Sequence, residues 1–267
     1  MGNIDLRHGD CLEIMKSFEN DYIDLTVTSP PYDNLRTYNN SLEWGEHIWK
    51  PVIKELYRIT KDGGVVVWVV GDATIKGSET GTSFKQALYF MECGFNLHDT
   101  MIWHKPNAMP QVDKSRNCQC FEYMFIFSKG KPNSTNIIKI LTKNAGKTIK
   151  RKTLQNENMN KKERTDTTKK TRLAFNVYSL NVGGKKEAEH PALFPEQLAK
   201  DHITTWSNEN DIVFDPFMGS GTTGKMALLK NRKFIGIEKD LNYFNIAKKR
   251  IKKTVYQPEL FKEEKWL

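Results

Sequence analysis

Residues 211–240 read DIVFDPFMGSGTTGKMALLKNRKFIGIEKD and carry the clearest fold signal in the chain. An apolar strand at 212–214 runs into a turn that contains Gly219 and Gly221, and a helix is predicted directly after it. Glycines let a backbone approach a ligand closely, and the first turn of a helix has free N–H groups. Glu238 ends the following strand, where its carboxylate can accept hydrogen bonds from two ribose hydroxyls. This order of elements predicts a nucleoside-cofactor site.

The identity of that cofactor stays open on this segment alone. Gly219, Gly221 and Gly224 satisfy the G-x-G-x-x-G pattern, and Glu238 lies where a dinucleotide-binding fold places its acidic residue. A nicotinamide-dependent oxidoreductase is therefore one interpretation, and a tight structural turn without a ligand is another. The strand–loop–helix–strand–acid order favours a bound nucleoside over the structural turn.

Short apolar runs alternate with helical stretches along the whole chain, which is typical of a mostly parallel sheet covered by helices on both faces. The predicted strands are 4–8, 23–28, 65–70, 97–104, 121–128, 212–214 and 234–237, and the predicted helices are 12–18, 46–59, 83–93, 195–206, 222–230 and 241–251. Because no helix is predicted between 97–104 and 121–128, these two strands are expected to pair antiparallel. The predicted fold class is α/β, with seven strands of which one is antiparallel.

The charge of the chain is concentrated in one segment. The net charge is +9, and residues 139–172 contain twelve Lys or Arg and three Asp or Glu, which alone gives +9. From 131 to 189 the alternation of strands and helices also disappears, and this stretch is long for a loop in a compact domain. A basic block is usually a solvated polar face. Where other motifs point to nucleic acid, it is better interpreted as a segment that contacts phosphates.

Several classes of protein are disfavoured by the composition. No apolar run approaches the roughly 20 residues that a transmembrane helix needs, and the amino terminus lacks the features of a secretory signal. We therefore expect a soluble cytoplasmic protein with no membrane partner. Cys118 and Cys120 are spaced C-x-C without a second ligand pair, so reduced structural cysteines are favoured over a metal site.

A second motif follows the strand at 23–28, where the chain reads Ser29-Pro30-Pro31-Tyr32. Two successive prolines fix φ and supply no backbone N–H, so the loop is rigid and presents carbonyl acceptors without competing donors. Ligands of open α/β sheets bind at the carboxyl ends of the strands, which is where this loop lies. Taken alone, the motif has an ordinary proline turn as its alternative.

Here the chain resembles the DNA methyltransferases that act on exocyclic amino groups, whose hallmark is (Asp/Asn/Ser)-Pro-Pro-(Tyr/Phe/Trp). The resemblance covers nearly all of the chain except the basic insertion. Three further segments match the family: Gly-Asp-Cys-Leu at 9–12, Trp-His-Lys-Pro at 103–106 and His-Pro-Ala-Leu-Phe-Pro at 190–195. The catalytic loop comes first, the variable region next and the glycine loop last, which is the order of the permuted β group. Motifs in family order make a chance proline turn a poor explanation.

The resemblance implies a circularly permuted, Rossmann-like S-adenosylmethionine-dependent methyltransferase fold. It implies a catalytic half at 1–130, a basic target-recognition insertion at 131–189 and a cofactor-binding half at 190–267. No metal is implied, and Asp10 is expected near the adenine amino group of the cofactor. The full set of residues expected to bind S-adenosylmethionine is Asp10, Cys11, Ser29, His190, Asp215, Phe217, Gly219, Ser220, Gly221, Thr222 and Glu238.

The reaction implied is direct methyl transfer to the amino nitrogen of a base that has flipped out of double-stranded DNA. By the resemblance, Ser29 and the carbonyl of Pro30 accept hydrogen bonds from that nitrogen, and Tyr32 stacks on the base. Pro30 and Pro31 together hold the loop rigid. Catalysis then consists of positioning and electrostatics, with no covalent enzyme intermediate.

Ser29 is also the one direct indication of the target base. Serine at this position is typical of N4-cytosine enzymes, so N4 of cytosine is the preferred target and N6 of adenine the alternative. A nicotinamide enzyme leaves the proline loop unexplained, and no Pro-Cys dipeptide supplies the nucleophile of C5-cytosine enzymes. A non-catalytic DNA-binding subunit with the same fold is the alternative of a different class.

Double-stranded DNA is the expected partner of the insertion at 131–189. Its lysines are expected to contact phosphates, and its Asn, Gln, Thr and Arg residues to read bases. The alternative is a flexible basic tether that orders only on DNA. A homodimer and a cognate restriction endonuclease on a separate chain are both left open by the sequence.

Overall fold

The computed structural model describes residues 3–31, 44–110, 115–155, 160–182 and 195–256. The chain divides into two compact units. The large unit runs up to Asn136 and resumes at Asn176, and the small unit is Ile137–Phe175. No helix in the described ranges is long and apolar enough to cross a membrane.

The described strands and helices follow the predicted alternation closely. In chain order the strands are β1 (Ile4–His8), β2 (Ile23–Thr28), β3 (Thr60–Val70), β4 (Thr74–Ile75), β5 (Ser78–Glu79), β6 (Asn96–His104), β7 (Phe121–Ser128), β8 (Lys139–Leu141), β9 (Thr148–Gln155), β10 (Asn160–Thr167), β11 (Thr171–Leu173), β12 (Val177–Ser179), β13 (Ile212–Asp215) and β14 (Lys233–Glu238). The helices are α1 (Cys11–Met15), α2 (Glu46–Ile59), α3 (Thr82–Glu92), α4 (Glu196–Trp206), α5 (Thr222–Leu229) and α6 (Leu241–Tyr256). All seven predicted strands and all six predicted helices are present, most with ends shifted by a few residues.

The large unit is built on a sheet of eight described strands in the order β1-β14-β13-β2-β3-β7-β6-β12. Strand β7 runs antiparallel to β3 and to β6, and the other neighbouring pairs are parallel. The expected antiparallel pairing of 97–104 with 121–128 is therefore confirmed. The expected number of seven strands is one too low, because β12 pairs with β6 at the edge of the sheet.

Strand β12 lies within the stretch 131–189 and belongs to the main sheet. Val177, Tyr178 and Ser179 pair in parallel with Ile102, Trp103 and His104 of β6. Three residues with an exposed–intermediate–exposed pattern give no recognisable apolar run in the sequence. Strand β12 forms because it pairs with β6, and its own three residues give no local strand signal.

Both faces of the central strand β3 are buried, as a parallel sheet between two helical layers requires. Val66, Trp68 and Val70 contribute to the core cluster that α1, α2 and α3 cover. Val65, Val67 and Val69 contribute to the cluster on the opposite face, which α4, α5 and α6 cover. Side chains alternate between faces along a strand, so a continuous valine run serves both layers.

The segments that follow the parallel strands β1, β13 and β14 lie together at the carboxyl end of the sheet. The backbone N–H of Gly9, after β1, donates to the carbonyl of Glu238 at the end of β14 (3.0 Å). The N–H of Met218, after β13, donates to the carbonyl of Ile237 (2.9 Å). Gly224 serves the packing behind this edge, since a Cβ there would lie 2.5 Å from the ring of Phe234. This glycine therefore allows α5 to approach β14 closely.

The small unit consists of paired strands only, as far as it is described. Strand β8 pairs antiparallel with β11, and β9 pairs antiparallel with β10. Two backbone bonds continue the pairing between these ribbons, from Thr142 N–H to the Lys170 carbonyl (3.0 Å) and from Thr168 N–H to the Lys147 carbonyl (2.9 Å). The basic segment therefore has a regular backbone arrangement of its own. The boundaries 131 and 189 of the insertion, and its recognition role, stay predictions.

Candidate cofactor and catalytic site

A buried carboxyl group joins the glycine loop to the strand that precedes the proline loop. Asp215 is only 4% exposed. Its Oδ1 accepts a hydrogen bond from Thr28 Oγ1 (2.7 Å) and another from the N–H of Phe217 (3.1 Å). Burial raises the pKa of the Asp215 carboxyl to about 7, although the bonds from Thr28, Thr223 and Phe217 lower it. Adjacent strands β2 and β13 are thereby tied at their carboxyl ends.

Glu238 lies at the end of β14 and holds the glycine loop from the other side. Its Oε2 accepts from the N–H of Gly219 (2.9 Å), and its Oε1 accepts from the N–H of Asp240 (2.8 Å). Burial raises the pKa of this carboxyl, and the bonds from Asp240 and Gly219 oppose the rise. Each carboxylate oxygen can accept more than one hydrogen bond. Glu238 therefore retains acceptor capacity for the hydroxyls of a ribose.

The glycine turn adopts the backbone conformations that its sequence predicts. Gly219 and Gly221 have φ values of 50° and 80°, in the left-handed region that favours glycine. Gly221 precedes the first turn of α5, and a Cβ there would lie 3.0 Å from the Cβ of Ala247. The turn therefore presents the N–H groups at the start of α5 within a close-packed loop.

The segment after β1 contributes a third carboxylate at this edge. Asp10 caps α1, because its Oδ1 accepts from the N–H of Leu12 (3.0 Å) and of Glu13 (3.4 Å). Its Oδ2 lies 3.3 Å from Lys239 Nζ, directly after Glu238 in the chain. Cys11 is buried beside it, and burial followed by the charge of Asp10 raises the pKa of its thiol to about 12. Cys11 therefore stays a protonated, structural thiol.

Three of the four residues of the proline loop are described. Ser29 and Pro31 are partly exposed and Pro30 is buried, directly after β2. Tyr32 lies outside the described residues, as does His190, which was expected to bind the cofactor. The predicted roles of both stay predictions. What the described residues do place together is the start of the proline loop and the glycine loop, through Thr28 and Asp215.

Two tryptophans pack against Phe217 of the glycine loop, on the face of the sheet that α1, α2 and α3 cover. The ring of Phe217 makes edge contacts with Trp44 (centroids 5.5 Å apart) and with Trp68 (6.3 Å). Trp44 follows the proline-loop region in the sequence, where it gives no more than a packing signal. The structure assigns it to the surroundings of the predicted cofactor residue Phe217.

Arg250 is a structural residue of the site that the sequence did not reveal. From α6, its guanidinium donates to the Ser220 carbonyl (2.7 Å), to Ser220 Oγ (2.8 Å) and to Thr222 Oγ1 (3.4 Å). It also pairs with Glu196 of α4 (3.3 Å). The hydroxyls of Ser220 and Thr222, both predicted to contact the cofactor, are thus buried and bonded to Arg250. Since arginine is common on helix surfaces, its sequence position carries no signal for this role.

A buried ion pair at the same edge was also not predicted. Lys105 follows β6 and pairs with Glu122 at the start of β7. The side chain of Glu122 is 7% exposed, and Lys105 Nζ lies 4.6 Å from the centroid of the Trp103 ring. Trp103 in turn donates its indole N–H to the Leu180 carbonyl (2.8 Å). The Trp-His-Lys-Pro segment at 103–106 therefore links the end of β6 to the start of β7 and to the residue that follows β12.

Known proteins are similar to this chain over most of its length. Residues 23–249 match the N6_N4_Mtase family, described as DNA methylase. The orphan methyltransferase M.BamHII of Bacillus amyloliquefaciens is 53% identical over 245 residues, which cover 87% of this chain and 90% of that protein. The type II methyltransferase M.HinfI of Haemophilus influenzae is 28% identical over 280 residues, covering 94% of this chain and 68% of that protein.

Solved structures with the same architecture are also found. M1.HpyAVI in its complex with SAM has a TM-score of 0.62 at 26% sequence identity, covering 93% of this chain and 98% of that one. The PvuII DNA methyltransferase, described as cytosine-N4-specific, has a TM-score of 0.70 at 23% identity, covering 93% and 86%. The likeness to the PvuII enzyme concerns the fold alone. It is the S-adenosylmethionine-dependent methyltransferase fold that was expected from the sequence. The circular permutation is a matter of motif order and stays a prediction.

Replacing Arg250 by Ala should weaken the affinity for S-adenosylmethionine by about tenfold, because the loop loses hydrogen bonds that are each worth roughly 1 kcal/mol. Arg250→Lys should recover part of the loss, since it restores the charge without the planar fork. Isothermal titration calorimetry measures the affinity. The control is Lys249→Ala, an exposed neighbour on the same helix. A lower melting temperature with unchanged cofactor affinity would contradict the positioning role.

The titration of Asp215 should make stability fall as the pH rises. An aspartate in the unfolded chain titrates near 3.9, whereas burial raises the pKa in the folded protein to about 7. The folded state therefore binds more protons, and stability that is full below about pH 4 is lost as the pH passes about 7. Asp215→Asn keeps an oxygen acceptor for Thr28 and Phe217 but cannot ionise.

Between about pH 5 and pH 8, the melting temperature of the wild type should fall relative to Asp215→Asn by roughly 5 °C. Thermal unfolding followed by circular dichroism across this range provides the measurement. Asp62→Asn, at an exposed position of β3, should follow the wild type. Parallel curves for the wild type and Asp215→Asn would show that this carboxyl does not titrate in the range.

Proposed function

Because this chain belongs to the N6/N4 DNA methylase family, we propose that it transfers a methyl group from S-adenosylmethionine to N4 of cytosine in duplex DNA. Membership establishes the coarser statement, that the chain is a DNA amino-methyltransferase that uses S-adenosylmethionine. The choice of cytosine, the target site and the residue roles are the proposal. The following observations support them.

One observation carries the proposal: the glycine loop and the proline loop start from adjacent parallel strands and are tied by the Thr28–Asp215 hydrogen bond. Direct transfer requires the methyl donor and the acceptor nitrogen to meet in line at close range. Loops after neighbouring strands of an open α/β sheet form a single crevice. A cofactor on one loop and a base on the other would meet that requirement.

The described residues at the glycine loop fit S-adenosylmethionine. In this proposal Glu238 accepts hydrogen bonds from the ribose hydroxyls, and Asp10, at the neighbouring strand end, accepts from the adenine amino group. The N–H groups at the start of α5 would face the remaining polar part of the molecule. S-adenosylmethionine supplies an electrophilic methyl group on a sulfonium centre.

The proline loop would prepare the acceptor nitrogen. The lone pair of an exocyclic amino group is delocalised into the base, and hydrogen bonds donated by that group to fixed acceptors help to localise it. Ser29 and the carbonyl of Pro30 are the acceptors in this proposal, and Pro31 fixes the backbone so that no N–H competes. Preorganised acceptors of this kind stabilise the charge that develops during transfer.

Ser29 supports cytosine as the target, and the PvuII enzyme of the same fold is described as cytosine-N4-specific. The small unit supports a duplex partner, because it carries a local charge of +9 where the rest of the chain is neutral on balance. We assign target recognition to the insertion at 131–189. A cytoplasmic location, a homodimer and a separate cognate restriction endonuclease stay predictions.

The proposal is tested by incubating the purified chain with unmethylated bacterial genomic DNA and S-adenosylmethionine, followed by digestion and mass spectrometry of the nucleosides. N4-methylcytosine is the expected product. N6-methyladenine would keep the fold and the reaction type and overturn the base. DNA binding without either product, at saturating cofactor, would favour a non-catalytic DNA-binding subunit.

Tyr32→Ala should lower turnover by about a hundredfold while cofactor affinity stays within twofold, because base stacking on an aromatic ring is worth roughly 1–3 kcal/mol. Tyr32→Phe retains the ring and should keep most of the activity. Single-turnover methyl transfer and calorimetry measure the two quantities. Unchanged turnover in Tyr32→Ala would remove the stacking role.

A further inference from the structure

The ribbon formed by β8 and β11 has one face that is exposed along its whole length. Register places Lys139 opposite Leu173 and Leu141 opposite Thr171, and the strands alternate between exposed and intermediate residues. The bond from Ala174 N–H to the Ile138 carbonyl (2.9 Å) continues the pairing by one step. We call the exposed residues the ribbon face: Ile137, Lys139, Leu141, Thr171, Leu173 and Phe175.

This ribbon face is unusually apolar for an exposed surface. Leu141 is 80% exposed, Phe175 66% and Leu173 58%. The guanidinium of Arg172 lies over the Phe175 ring, 3.7 Å from its centroid. The two residues form a cation–π pair at the end of the ribbon. Large apolar side chains that cluster at the surface commonly mark a binding surface.

The surrounding charge identifies the kind of partner. The small unit contains twelve Lys or Arg against three Asp or Glu, so it carries the whole net charge of the chain. Such a unit would bind a polyanion through its basic residues, and the apolar ribbon face would need apolar surface on the same partner. Duplex DNA offers both, since its grooves expose sugars and thymine methyl groups between two rows of phosphates. A two-stranded ribbon also has a width that the major groove admits.

We propose that the ribbon face lies in a groove of the DNA substrate, where Leu141, Leu173 and Phe175 make apolar contacts while the lysines of the same unit neutralise phosphates. This inference rests on the proposed function, since it takes duplex DNA as the substrate. It adds a share of affinity that does not depend on salt. The proposal also makes these three apolar residues DNA contacts. The charge of the unit by itself would predict contacts from lysines only.

The test compares two kinds of substitution on the ribbon face in the full-length chain. The probe is a labelled duplex of genomic sequence that the wild type methylates, and its dissociation constant is measured at several salt concentrations. Leu141→Ser combined with Leu173→Ser should weaken binding by about tenfold at every salt concentration, with the salt slope unchanged. Lys139→Ala should instead reduce the slope of log K against log salt by about one.

A matched control is Leu88→Ser on α3 of the large unit, where the leucine is 60% exposed. It should bind the duplex within twofold of the wild type. Cofactor affinity and melting temperature should be unchanged in all variants, because every substituted side chain is exposed. Wild-type DNA affinity in the double leucine variant would overturn the inference.

Light scattering on the same proteins separates DNA contact from self-association. A wild-type dimer that the leucine variant converts to a monomer would assign the ribbon face to a second copy of the chain, and would also overturn the inference. Methyl transfer by the wild type distinguishes the two levels of proposal. If the wild type produces no methylated base, the proposed function fails. If it methylates DNA and the leucine variant binds normally, only the ribbon-face contact fails.

Discussion

The buried hydrogen bond between Thr28 and Asp215 is the constraint on which the geometry of the site depends. A carboxyl group that is removed from water is stable only when hydrogen bonds satisfy it or when it holds a proton. The hydrogen bonds fix the positions of its neighbours, since Thr28 Oγ1 and the Phe217 N–H lie 2.7 and 3.1 Å from the same oxygen. The glycine loop and the strand leading to the proline loop therefore cannot move independently without leaving that oxygen unsatisfied.

Features with a local sequence signal could be predicted, whereas contacts between distant positions, such as this hydrogen bond, could not. Strand β3 was predictable because a run of valines is a local signal, and both its faces are buried as a parallel sheet requires. The conformations of Gly219 and Gly221 were predictable because left-handed φ values demand glycine. Asp215 was recognised as a site residue, yet its bond to Thr28 joins positions 187 residues apart. No local pattern encodes such a contact.

Arg250 and β12 were missed for the same physical reason. An arginine on a helix is usually solvated, and only the tertiary fold brings its guanidinium within 2.7 Å of the Ser220 carbonyl. Strand β12 is three residues long and gains its strand geometry from the edge of β6. Tertiary context can override weak local preference in short strands. The motifs thus located the loops, while the residues that hold those loops in place emerged only from packing.

The distribution of charge fits the proposal that a separate part of the chain supplies affinity for DNA. Asp10, Asp215 and Glu238 all lie at the strand ends where the cofactor is proposed to bind, and each has local partners. Asp10 pairs with Lys239, Asp215 accepts from Thr28, and Glu238 accepts from the N–H groups of Gly219 and Asp240. Surface charges are screened over roughly 8–10 Å at physiological salt. Within the small unit, twelve basic residues outnumber three acidic ones, so its positive charge is not cancelled locally and would be available to phosphates. The large unit is left electrically neutral, and the net charge of +9 falls on residues that contain none of the predicted site.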